Sequence, residues 1–150
     1  ENKQLDIFLL NNGGIRSIIP KGNVTLKTAF EIMPFENTSI VVALKGEQIL
    51  EMLNYFIAEN KPHPLSGIQF TISKTNQPIK ISVQGKPLDF NKIYYVITSD
   101  YLSNGGDKME FFKKGVEIYD INYKLRNILM DYFKETKTIT SSRDQRIILE

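Results

Sequence analysis

The chain has 150 residues, 41% hydrophobic and 24% charged, the balance of one soluble globular domain. At this length roughly 68–70% of the unfolded surface can be buried, enough for a core without staples. Nineteen Lys and Arg against 17 Asp and Glu leave a net charge of +2, too weak and too mixed to argue for nucleic acid or a membrane surface. The absence of cysteine excludes disulfides, thiolate metal sites and a cysteine nucleophile, and leaves the redox compartment open.

In chain order, residues 5–10 are a short apolar run that ends in Asn11-Asn12-Gly13-Gly14, a buried strand entering a tight loop. Residues 25–33 predict a short helix stopped by Pro34. The β-branched run over 40–44 predicts a buried strand, and Gly46 follows it. Over 47–60, Ile49, Leu50, Leu53, Phe56 and Ile57 share one helical face. Residues 68–73 and 79–83 alternate across Asn76-Gln77-Pro78 and predict a hairpin, and 92–98 read as a strand. The spacing of Leu125, Ile128, Leu129, Tyr132 and Phe133 predicts a helix over 122–134, and the apolar tail within 143–150 is expected to pair with a sheet. Helices and strands alternate without βαβ order, which predicts an α+β fold with a mixed sheet.

His63 is the single histidine. Dinuclear phosphoesterase and zinc hydrolase sites draw on several imidazoles, so no catalytic residue and no metal site is expected in this chain. Its setting, Pro62-His63-Pro64, predicts a solvated loop histidine. No run reaches the roughly 18 apolar residues of a membrane span. No signal peptide is visible ahead of Glu1, and a cleaved leader or a trimmed chain accounts equally for the missing methionine. Asn23-Val24-Thr25 and Asn37-Thr38-Ser39 fit the glycosylation pattern, a common coincidence in an Asn-rich chain.

Two loops share one design. Asn11-Asn12-Gly13-Gly14-Ile15-Arg16 and Asn104-Gly105-Gly106-Asp107 each join a Gly-Gly pair to a charged side chain. Glycine permits positive φ and close approach of a ligand to the backbone. Arg16 offers a planar fork to a phosphate or carboxylate, and Asp107 an acceptor to a vicinal diol. Phe35 and Tyr101 lie near these loops, and two facing rings can sandwich a base at roughly 1–3 kcal/mol per stacked base. Tight turns and core packing are the plainer readings of the same residues. The phosphate loop and the dinucleotide fingerprint are absent. Residues 100–111 fail as a calcium loop, with Leu102 and Phe111 where ligands belong.

Five segments in register, Asn11-Asn12-Gly13-Gly14-Ile15-Arg16, Pro34-Phe35-Glu36-Asn37, Leu44-Lys45-Gly46, Ser66-Gly67-Ile68 and Tyr101-Leu102-Ser103-Asn104-Gly105-Gly106-Asp107, resemble the C-terminal domain of 5′-nucleotidases. The resemblance runs from about Ile7 to Ile148, nearly the whole chain. It implies a single substrate-binding domain over 1–150 that presents a nucleotide or nucleoside to divalent metal ions. The resemblance places those ions on a separate metallophosphoesterase domain, in cis or on another chain, and this domain is expected to need no cofactor and to be inactive alone. Phe35 and Tyr101 would stack on the base, with Tyr101 where Phe is frequent. Asn11 would bond the base edge or ribose, Arg16 the phosphate end and Asp107 the ribose hydroxyls. Gly13, Gly14, Asn104, Gly105 and Gly106 would shape the loops. Two departures stand out: the family's upstream arginine falls before this chain's start, and Lys108 stands where glycine is frequent. The resemblance implies a periplasmic, cell-surface or secreted location. It leaves UDP-sugar and 2′,3′-cyclic nucleotide hydrolases open, and beside them a stand-alone binding module.

Overall fold

A computed structural model describes residues 4–150. Two mixed sheets share one core. The first has the order β3-β1-β7-β2-β8, built from β1 (Ile7–Leu9), β2 (Thr38–Lys45), β3 (Leu65–Ser66), β7 (Ile93–Ser99) and β8 (Glu117–Lys124). The second has the order β6-β5-β4-β9, from β4 (Ile68–Ile72), β5 (Pro78–Val83), β6 (Lys86–Pro87) and β9 (Ile147–Leu149). Among the described residues four α-helices complete the α+β architecture: α1 (Leu26–Ile32), α2 (Gly46–Glu59), α3 (Asp100–Ser103) and α4 (Leu125–Thr136).

β2 is the continuous apolar run of the first sheet. It pairs antiparallel with β7 on one side and β8 on the other, and Ser39 to Leu44 are all buried. Strands covered on both faces read as unbroken hydrophobic runs. On α2 the buried stripe is Ile49, Met52, Leu53 and Phe56, while Leu50 and Ile57 are only half-buried. The face is rotated from the one the spacing suggested, because the long flexible Met52 fills the centre of the core. This stripe joins Ile7, Leu9, Val42 and Leu44 of the first sheet to Phe70 and Val83 of the second.

The chain crosses between sheets at Gly67, where φ is +81° and a Cβ would stand 2.0 Å from the Asp6 carbonyl oxygen. α1 starts at a capping box in which Thr25 and Thr28 each accept from the other's backbone amide. The tail pairs as expected, β9 running parallel to β4.

A helix boundary also departs from the sequence reading. Residues 122–124 end β8, and α4 begins only at Leu125, whose amide donates to the Asn37 carbonyl at 3.1 Å. Asn122 takes φ +51°, which no helix interior accommodates.

Candidate functional site

The topology brings three segments to one end of the first sheet. β1 and β7 are parallel neighbours, so the loops that leave their carboxyl ends, residues 11–16 and 100–108, emerge side by side. β2 runs antiparallel to β7, with Ser39 opposite Ser99, so the segment entering β2, residues 34–37, arrives at that same end. The carboxyl ends of parallel strands are where open sheets gather ligand groups.

Asn11, Arg16, Phe35, Tyr101 and Asp107 all line one cleft of about 340 Å³ there, together with Gly13, Gly14 and Asn37. That volume suits a small organic ligand. Phe35 and Tyr101 are 44% and 47% exposed, so both rings stand on the cleft rather than in the core. The two glycine loops are joined directly: Asn11 Nδ2 donates to Asp107 Oδ2 at 2.8 Å across 96 residues of sequence. Tyr101 turns its hydroxyl to the same carboxylate, donating to Oδ1 at 2.8 Å and accepting from the Asp107 amide at 3.1 Å. An ionised carboxylate offers about four acceptor positions. Two donors hold it in place, and the remaining positions are open to a diol.

Arg16 is fixed through its backbone, its amide donating to the Ile32 carbonyl at 2.9 Å. Its guanidinium carbon lies 5.2 Å from the centre of the Phe35 ring, a cation–π distance, and it pairs with no carboxylate among the described residues.

The glycines of the two loops act in different ways. Gly13 and Gly14 form a 3-10 turn without positive φ. What Gly14 supplies is room, since a Cβ there would come within 3.0 Å of Asn11 Oδ1. In the second loop Gly105 takes φ +83°, whereas Gly106 lies under Tyr101, where a Cβ would meet ring carbons and the carbonyl oxygen at 2.6 Å. Asp107 and Lys108 are themselves left-handed, at φ +51° and +62°. Asn104 caps α3, its side chain donating to the Asp100 carbonyl at 2.8 Å.

Several supports were not legible in the sequence. Asn37 donates to Asp100 Oδ1 at 2.7 Å, which ties the β2 entry to α3. Tyr55 of α2 donates to the Asp107 carbonyl at 2.7 Å. Arg126, 4% exposed, donates to the Met33 and Phe35 carbonyls at 3.0 and 3.3 Å, pairs with Glu36 and lies over the Phe30 ring at 3.8 Å. Its guanidinium, helped by Lys124, holds the Glu36 carboxyl down at about 2. These bonds fix the backbone on which Phe35 is mounted. No local pattern could announce a bond reaching back some 90 residues.

His63 corrects the expectation of a solvated loop histidine. Its ring is half-buried against Phe56 and Tyr55, and its Nδ1 accepts from the Asn12 amide at 3.1 Å. Pro62 and Pro64 set a loop whose ring is covered by α2, a long-range contact that the tripeptide does not encode.

Among the described residues no group of three or more His, Asp or Glu side chains is placed to hold a metal ion. No described helix is long and apolar enough to cross a membrane.

Comparison with known proteins agrees with this architecture. The family model of the 5′-nucleotidase C-terminal domain matches residues 1–114. A trifunctional nucleotide phosphoesterase of Bacillus subtilis is 32% identical over 143 residues, 86% of this chain and 10% of that protein. An apyrase of Tabanus yao is 27% identical over 165 residues, 95% of this chain and 29% of that protein. The crystal structure of a 5′-nucleotidase precursor from Thermus thermophilus superposes with a TM-score of 0.87 at 31% identity, over 97% of this chain and 31% of that one. The chain thus spans less than a third of the length of these relatives. With the fold, the motifs and the family model in agreement, the chain belongs to the family of 5′-nucleotidase C-terminal domains.

Proposed function

We propose that the cleft binds a nucleotide or nucleoside and that the chain is the substrate-binding domain of a 5′-nucleotidase-type phosphohydrolase. The observation that carries this reading is the convergence on one cleft of two exposed rings, a carboxylate with open acceptor positions and an arginine that pairs with no carboxylate among the described residues. Phe35 and Tyr101 stack on the base, Asn11 bonds its edge or the ribose, Asp107 accepts from the ribose hydroxyls, and Arg16 meets the phosphate. Hydrolysis belongs to divalent ions on a metallophosphoesterase domain, in the same polypeptide or on another chain. The share of the relatives that this chain leaves uncovered supports that division. A location outside the cytoplasm belongs to the same proposal and is supported by a cell wall protein of Listeria monocytogenes, 29% identical over 160 residues.

Titration calorimetry of Arg16→Ala tests the reading. A lost charge-assisted bond weakens AMP roughly tenfold or more, since such bonds contribute about 1.5–3 kcal/mol. Adenosine, which has no phosphate, loses less than about twofold. Equal losses for both ligands would make Arg16 a structural prop of the Phe35 ring and remove the phosphate end from the reading.

A further inference from the structure

The single histidine of the chain stands behind the candidate cleft, not in it. Its ring centroid lies 5.3 Å from that of Phe56 and 6.1 Å from that of Tyr55. A backbone N–H can only donate, so the Nδ1 that faces the Asn12 amide carries a lone pair, and the neutral ring holds its proton on Nε2. Nε2 is buried and has no hydrogen-bond partner among the described residues. The polar attachment of the ring is therefore the Asn12 amide, the first residue of the turn formed by Asn12–Gly14. A second cleft, of about 470 Å³, opens on the His63 side and is also lined by Gly13 and Asp107, which makes these two residues a wall common to both clefts.

We propose that neutral His63 is a positioning residue for the candidate cleft: its Nδ1 holds the Asn12–Gly14 turn in place, and protonation of that nitrogen releases the turn. A protonated imidazole has N–H donors at both nitrogens, so Nδ1–H would confront the Asn12 N–H with no acceptor between them. Asn11 and its bond to Asp107 sit at the start of the same turn, so a shift there loosens the junction of the two glycine loops. The charged and titratable groups facing the ring are Tyr55 and Glu59 of α2, Lys61 of the following loop, and Asp107 and Lys108 of the second glycine loop. Burial is the largest influence and lowers the pKa from its ordinary 6.5; Asp107 and Glu59 oppose it and Lys61 adds to it. The folded chain thus takes up this proton at lower pH than the unfolded chain. The contribution is fully present above 6.5 and is lost as pH falls below it toward the folded value. The effect on ligand rests on the nucleoside reading; the effect on the turn does not.

Because there is one histidine, its ring can be titrated by NMR in the ligand-free chain without ambiguity. The ring nitrogens should report the Nε2–H tautomer at neutral pH. The Asn12 and Gly13 amides should shift with the midpoint of the ring, below 6.5. Adenosine is the ligand for the binding arm, because the second phosphate ionisation of AMP, near pH 6, would overlap the titration. Its affinity should fall about threefold or more as the ring becomes protonated, with the midpoint of the ring titration. His63→Phe keeps the ring packing and removes the acceptor, so affinity at neutral pH drops to the acid value and stops varying with pH. His63→Asn, whose Oδ1 can take the place of Nδ1, restores affinity relative to His63→Phe with a flat profile. An Nδ1–H tautomer, amides indifferent to the titration, or a His63→Phe variant that keeps the pH dependence overturns the proposal. If adenosine binds at no pH while the amides follow the ring, the nucleoside reading fails and the coupling of His63 to the turn stands.

Discussion

Residues 11–16 and 104–108 both set an asparagine before a Gly-Gly pair, yet the first loop turns through ordinary backbone and the second through left-handed backbone. In the first, no residue has positive φ, and the turn is held from outside by His63 and from within by Asn11. In the second, Gly105, Asp107 and Lys108 all lie in the left-handed region, and the Tyr101 ring presses on Gly106. The same dipeptide thus answers two demands. In one loop it leaves room for an asparagine side chain. In the other it lets the chain reverse beneath an aromatic ring that stands on the cleft. Composition alone cannot separate these demands, because what covers each glycine comes from residues elsewhere in the loop or the chain.

Replacing one glycine in each loop gives the sharpest contrast and the largest effect. Gly106→Ala drives a Cβ into the Tyr101 ring and into backbone at 2.6 Å, and backbone cannot swing aside. Overpacking of this kind costs about 2 kcal/mol, which for a chain of this size is a fall in melting temperature of roughly 4–8 °C. Gly14→Ala meets only the tip of the Asn11 side chain, at 3.0 Å and with ordinary φ, and should cost less than about 1 kcal/mol. Thermal melts of the two variants check this, and equal losses would show that the loops share one mechanism after all.

The joint between the loops comes next in size. Asn11 and Asp107 are coupled by a 2.8 Å hydrogen bond at a partly exposed site. A double-mutant cycle with Asn11→Ala and Asp107→Asn should therefore return a coupling of about 1 kcal/mol in urea unfolding. Additivity within about 0.3 kcal/mol would mean that the loops stand independently and that the wall of the cleft is not a single unit.

How far the sequence could be read follows from what each element is made of. β2 and α2 were legible because their patterns record burial, an unbroken apolar run and an i, i+3, i+4 stripe. The five cleft residues were legible through motif order rather than chemistry, since an exposed Phe35 and a buried Phe112 look alike in isolation. β8 was missed because every one of its residues is exposed at the sheet edge, so burial wrote no alternation into it. The helical spacing beyond Leu125 then drew the boundary three residues too early. Arg126 and His63 were missed for a different reason. A charged residue near the start of a helix and a histidine between prolines have bland local readings, and only tertiary contacts turn them into the mounts of Phe35 and of the Asn12 turn.

The smallest effect tests the strain assigned to the second loop. Lys108 holds φ +62° although it has a Cβ, and the left-handed region costs an ordinary residue about 1–2 kcal/mol. Lys108→Gly removes that cost in the folded chain. It also gives the unfolded chain more freedom to lose, a penalty of about 0.5–1 kcal/mol. The difference favours the variant by about 0.5 kcal/mol, a rise in melting temperature of roughly 1–2 °C. Lys108→Ala separates the two contributions, because alanine keeps the strained torsion while removing the long side chain. If alanine stabilises as much as glycine, the gain comes from losing the lysine charge and chain, not from relief of the backbone. If glycine stabilises and alanine does not, the second loop carries its strain in the backbone at Lys108, a strain the first loop lacks.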